Sequence, residues 1–199
     1  MIDEPSATPT PADVLPFWYR PISVAEYHQM IDAKVFDEDD LVELLDGFVA
    51  RMSPQSLGHA HVIAYLNELL VRALPARFQL RCQLPLTLAR SEPEPDFAVV
   101  ERLLARRAAH HPATAVLVIE VAVDSLDKDR AKVAIYAEAG VQEYWIVDVV
   151  HRAVEVRRRP QRARRSYAEH TLVRRGTLTS DLLPGVTVPV APLFRNRRS

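Results

Sequence analysis

Residues Val116 to Val123 read Val-Leu-Val-Ile-Glu-Val-Ala-Val, and no other segment restricts the fold as much. A run this short and this rich in β-branched side chains is a strand buried on both faces. A second apolar strand, Tyr144-Trp145-Ile146-Val147, follows a helix predicted over Asp129 to Ala139 and closed by Gly140. Two such strands with a helix between them require a central sheet covered on both sides. The expected class is therefore α/β (α+β), with a mixed central sheet flanked by helices.

The remaining elements are read from local signals. Ser23 with Glu26 three residues on forms a capping-box pattern, predicting a helix from Val24 to Ala33. Leu41 to Leu45 and Phe48 to Met52 make a hairpin around Asp46-Gly47, ended by Ser53-Pro54. His59 to Ala73 reads as a helix with Val62, Tyr65, Leu66, Leu69 and Leu70 on one face. Further strands are expected over Phe78 to Leu84, with Leu86 to Leu88 extending or pairing with it, and over Phe97 to Val100. Shorter ones follow around Val154, Tyr167 to Val173 and Val186 to Val188. Residues 1–22 form a Pro-rich arm whose end Phe17, Trp18 and Tyr19 would fasten to the core. Residues 23–194 form one domain, and 195–199 a basic tail.

Composition narrows the function. The net charge is −1, so any affinity for nucleic acid has to come from a local patch. The run from Arg152 to Arg165, including Arg157, Arg158 and Arg159, is a candidate to touch phosphate. It reads equally as a solvated hairpin face. No apolar stretch reaches the length of a membrane span, and the acidic, Pro-rich start does not resemble a secretory signal. Cys82 is the only cysteine, which excludes an internal disulfide and points to a reducing compartment, the cytoplasm. It is expected to be a strand residue and not a nucleophile. No phosphate-cradling glycine motif and no Gly-x-Ser-x-Gly elbow occur, so no organic cofactor is expected.

The chemistry starts from Glu120. An unpaired carboxylate in such a strand would cost several kcal/mol or take up a proton. It needs a bound cation or an ion pair with an arginine from another element. Asp96 follows Pro95 at the beginning of a short apolar strand, either as a polar strand-start residue or as a second carboxylate meeting Glu120. Two such oxygen ligands, completed by water and phosphate, suit Mg²⁺. Lys132 is the one cation in Ala131-Lys132-Val133-Ala134-Ile135. It either snorkels to solvent or reaches the acids, with Asp129 one turn earlier on the same face to hold it. Two carboxylates and a lysine suffice for phosphodiester hydrolysis: a metal polarises the phosphoryl group and acidifies water, and a cation orients that water.

Several motifs resemble one family. They are Val42-Glu43-Leu44-Leu45-Asp46-Gly47, Met52-Ser53-Pro54, Ser91 to Val100, and Glu120 through Asp148. The last contains Asp124-Ser125-Leu126, Tyr136-Ala137-Glu138-Ala139-Gly140 and Glu143-Tyr144-Trp145-Ile146-Val147-Asp148; the tail matches at Leu183-Pro184-Gly185-Val186. Together they resemble, from Ser23 to about Phe194, the bacterial Uma-type ("Uma two") restriction endonucleases of the PD-(D/E)XK superfamily. The resemblance implies a restriction-endonuclease-like fold, Asp96 and Glu120 as ligands of Mg²⁺ or Mn²⁺, and DNA as substrate. The parent motif carries its lysine two residues after the glutamate, where this chain has Ala122. The resemblance is to a variant that supplies it from the next helix, as Lys132. Glu43 matches an early acidic residue that often completes such sites; on turn chemistry it reads equally as a solvent-facing strand carboxylate. Phe48 departs from the family, which often has an acid after the Asp-Gly turn. His59 matches a recurrent position and could touch phosphate, although capping or surface placement is the plainer reading.

The expectation is a metal-dependent endonuclease with Asp96, Glu120, Lys132 and Glu43 at its centre. It would act as a two-fold homodimer, since a double-strand cut takes two sites. The rivals are a nucleic-acid-binding module on the same fold that no longer cuts, and a hydrolase of small phosphoesters.

Overall fold

The computed structural model describes residues 19–37, 39–52, 55–103 and 110–194. The arm up to residue 18, Ser53-Pro54 and the tail 195–199 lie outside them. Helix α1 (Val24–Asp32) opens with the expected capping box between Ser23 and Glu26. Strands β1 (Val42–Leu45) and β2 (Phe48–Arg51) form a separate two-stranded sheet. Asp46 (φ 49°) and Gly47 (φ 86°) make its turn, the positive-φ pair that a tight hairpin needs. A Cβ on Gly47 would stand 2.5 Å from the Pro21 Cβ. Gly47→Ala is therefore expected to cost more than about 1 kcal/mol, measured as a lowered midpoint in urea. Tyr19, the one described residue of the expected aromatic anchor, meets Phe48 edge-on at 6.1 Å.

Helix α2 (Leu57–Ala73) starts two residues ahead of the expected His59, because the Ser56 hydroxyl accepts from the His59 N–H and caps it. The central sheet has the order β3 (Phe78–Cys82), β4 (Phe97–Glu101), β5 (Leu117–Ala122), β6 (Glu143–Asp148), β7 (Ala153–Gln161) and β8 (Ser166–Val173). Only β5 and β6 run parallel. Their connection is helix α3 (Leu126–Glu138), the crossover that a parallel pair requires. The sheet is thus mixed and flanked by helices. Cys82 ends β3 as a free thiol.

Alternation along β5 sorts its side chains. Leu117, Ile119 and Val121 pack in the core with Val62, Leu66 and Leu70 of α2. Val118 and Ala122 pack with Ile135 and Tyr136 of α3, so Glu120 points toward α3. Trp145 of β6 is fully buried in the α2 layer. Strands β9 (Thr177–Thr179) and β10 (Thr187–Pro189) pair with each other, and α4 (Val190–Leu193) follows, all three adding to the α2 layer.

Leu86 to Leu88 form no strand. They fold back on the following loop, with the Leu86 N–H donating to Pro93 O at 3.0 Å and the Leu88 N–H to Ser91 O at 2.9 Å. The reason is local: Pro85, Pro93 and Pro95 leave too few N–H donors for a ladder. The same loop docks the hairpin, because Leu44 and Glu92 exchange backbone hydrogen bonds at 3.3 and 2.7 Å. Among the described residues no helix is long and apolar enough to cross a membrane.

Candidate active site

Docking of the hairpin through Leu44 sends its neighbour Glu43 inward, where 1% of it is exposed. It is not a solvent-facing carboxylate. Lys132 leaves α3 toward the same point. Its ammonium sits 2.9 Å from Glu43 Oε2 and 3.0 Å from Glu120 Oε1, with 3% of the side chain exposed, so it does not snorkel. Its partners are these two acids and not Asp129, which is buried and accepts instead from the Ser125 hydroxyl at 2.7 Å. The cation beside Glu120 is likewise this lysine and no arginine.

Glu120 is held on every side. The Tyr136 hydroxyl donates to Oε1 at 2.9 Å, and the Asp96 N–H donates to Oε2 at 3.2 Å. Asp96 returns the bond across the strands, its Oδ2 accepting from the Val121 N–H at 2.8 Å. Asp96 therefore meets Glu120, as pairing of the two strands predicted. His59 reaches Asp96 from α2 with Nε2 3.0 Å from the carboxylate; it is bound to an acid of the site and is not a surface residue. Glu94 joins through its N–H, which donates to Glu43 Oε2 at 3.3 Å.

Glu43, Glu94, Asp96, Glu120, Lys132 and His59 line one cavity of about 60 Å³. Six carboxyl side chains face it, from Glu43, Glu94, Asp96, Glu120, Asp124 and Asp129, against two lysines, Lys128 and Lys132, and His59. Burial first, and the crowding of charge second, shift the titrations. Burial pushes the Glu120 carboxyl up to about 8, with Lys132 pulling the other way. Burial alone would lower Lys132, but Glu120, Glu43 and Asp129 hold its ammonium well above the ordinary value. Burial also raises Glu94 and Asp129. The bond to Asp96 raises His59 against the opposing effect of burial.

The donor set fits a hard divalent cation. Carboxylate oxygens at Asp96 and Glu120 are the ligand type that Mg²⁺ and Mn²⁺ favour. The Glu43 Oε1, buried without a hydrogen-bond partner, leaves a further oxygen acceptor on the same wall. Among the described residues no three His, Cys, Asp or Glu side chains are grouped so as to enclose a metal by themselves. A pair of carboxylates completed by water and phosphate is the arrangement usual for Mg²⁺, in contrast to an all-protein cage.

The arginines of β7 lie elsewhere. Arg157 pairs with Glu155 at 2.9 Å, Arg158 with Glu143 at 3.4 Å, and Arg159 with Glu169 at 2.9 Å. Glu155 is the residue in register with Ile146 and, through it, with Glu120, so Arg158 and Arg159 stand further along β7, away from the cavity. Sequence reasoning did not single out Glu94, Lys128 or Tyr136. Two of them carried a faint signal: Glu94 precedes Asp96 by two residues on extended backbone, and Lys128 lies four before Lys132 on one helix face.

A family model described as "Putative restriction endonuclease" matches residues 24–191. The fold is similar to the crystal structure of "a putative nuclease belonging to DUF820" from Anabaena variabilis, with a TM-score of 0.69 and 17% identity. The match covers 87% of this chain and 98% of that one. No curated protein matches.

Proposed function

Because this chain belongs to the Uma2 family, to whose model most of its length corresponds, we propose that it is an endonuclease hydrolysing DNA phosphodiester bonds with Mg²⁺ or Mn²⁺ held by Asp96 and Glu120. The observation that carries this reading is the cross-bracing of those two acids. Each carboxylate accepts a backbone N–H from the other's strand region, and both line the cavity that Lys132 also lines.

When bound, the cation supplies Lewis acidity, neutralising charge on phosphoryl oxygens and acidifying water. The chain's own residues do the rest. Lys132 keeps a fixed positive charge beside Glu120, able to orient water and to stabilise charge developing on phosphate. Glu43 holds that ammonium from the far side. His59 and Tyr136 fix the rotamers of Asp96 and Glu120, as outer partners do for metal ligands. Cutting both strands takes two such sites, so the reading includes a two-fold homodimer, whose mass by light scattering would be twice the 22.5 kDa of the chain.

The test is conversion of supercoiled plasmid with Mg²⁺ or Mn²⁺, with EDTA, and with Asp96→Asn. Relaxed and linear products are expected with either cation and none with EDTA. The variant is expected to be at least about 100-fold slower. Cleavage in EDTA, or equal rates for the variant, would overturn the reading.

A further inference from the structure

The two lysines of the cavity wall are placed for different work. Lys132 is committed: two buried carboxylates hold it at 2.9 and 3.0 Å, and 3% of it is exposed. Drawing it toward a substrate would strip both acids of their counter-ion inside the protein, which is costly. Lys128 sits one turn nearer the start of α3, where 27% of its side chain reaches solvent. Among the described residues its one ion-pair partner is Glu43 Oε1, at 3.4 Å, and that oxygen makes no hydrogen bond there. A lysine ammonium has three donors on a flexible four-carbon stem, so this loose contact leaves Lys128 free to turn. The remaining nitrogen base of the wall, His59, is tied to Asp96 and mostly buried.

A substrate phosphate approaching six carboxyls meets repulsion unless a cation at the mouth receives it. We infer that Lys128 is that receiving group: a substrate-binding residue that docks a DNA phosphate at the entrance of the cavity, separate from Lys132 on its floor. The assignment rests on the nuclease reading, and it gives Lys128 a share of substrate affinity while Lys132 serves the chemical step. Phosphate contacts by a lysine are independent of base sequence, so the effect extends to any duplex.

The experiment is fluorescence anisotropy of a labelled DNA duplex with Ca²⁺ present, across a salt series, together with steady-state cleavage in Mg²⁺. Lys128→Gln is expected to weaken binding roughly tenfold, the scale of one charged hydrogen bond. It should reduce the slope of log affinity against log salt by about 0.9. In cleavage the loss should fall on KM more than on kcat, and Lys128→Arg should restore most of it. Unchanged affinity and slope in Lys128→Gln, with wild type binding and cutting normally, would overturn this inference alone. A wild type that neither binds nor cuts the duplex would overturn it together with the nuclease reading.

Discussion

Substituting Lys132 by alanine is expected to destabilise the protein by about 3–5 kcal/mol. The ammonium is the shared counter-ion of Glu43 and Glu120, both almost wholly buried. Without it the two carboxylates remain in an interior that offers each only part of the hydrogen bonding it needs. Glu43 Oε1 has no hydrogen-bond partner, and Glu120 keeps the Tyr136 hydroxyl and the Asp96 N–H. Burial already pushes the Glu120 carboxyl up to about 8 with Lys132 pulling the other way, so without the ammonium it would hold its proton more firmly still. For a chain of this size the loss corresponds to a fall in Tm of roughly 10 °C, read by calorimetry and by urea unfolding. Lys132→Met preserves the stem and separates lost packing from lost charge. The alanine variant should also regain part of its Tm when Mg²⁺ is added, because the proposed cation would replace the missing positive charge. A loss below about 1 kcal/mol, as for a solvent-exposed pair, would contradict the buried network described above.

The second large effect concerns Glu120→Gln. The amide oxygen can still accept from the Tyr136 hydroxyl and from Lys132 in place of Oε1, and only the bond from the Asp96 N–H is lost, so the fold should persist. The charge that a divalent cation needs is gone. Binding of Mn²⁺ by titration calorimetry is expected to disappear, and cleavage to fall by about 1,000-fold or more, equivalent to roughly 4 kcal/mol of barrier. The wild type should show a pH signature that the variant lacks. Burial pushes Glu120 up to about 8 in the folded, cation-free protein, above its value in the unfolded chain. Its contribution to stability is therefore present in the acid range and lost as pH rises through about 8. Cation binding must displace that proton, so affinity should weaken as pH falls below about 8, with proton release visible in buffers of different ionisation enthalpy. Retention of cation binding and pH slope in Glu120→Gln would move the site to other residues.

Much of this was legible in one dimension because neighbouring residues decide it. The Ser23–Glu26 box started α1, Asp46-Gly47 turned the hairpin, and the apolar run around Glu120 became the fully buried strand β5. Helix starts were less exact: α3 begins at Leu126, since a polar first turn with Asp127 and Asp129 hides the apolar periodicity used to find it. The basic run of β7 was ambiguous in sequence: Glu155 stands two residues from Arg157 on the same strand, but the other acidic partners, Glu143, Asp181 and Glu169, lie on strands and loops that only the tertiary fold brings alongside.

What the chain determined by itself was that one acid is embedded in its most apolar strand and must have a cation for company or hold a proton; solvation energy alone requires that. Which cation, and which other acids, was decided by the tertiary structure. Glu43 reaches Lys132 because Leu44 docks on Glu92, and Asp96 reaches Glu120 because β4 pairs with β5. Such contacts depend on how distant segments close on one another, and no local propensity carries that information. The same closure buried Lys132 and left Lys128 at the mouth, although one helix face presents both.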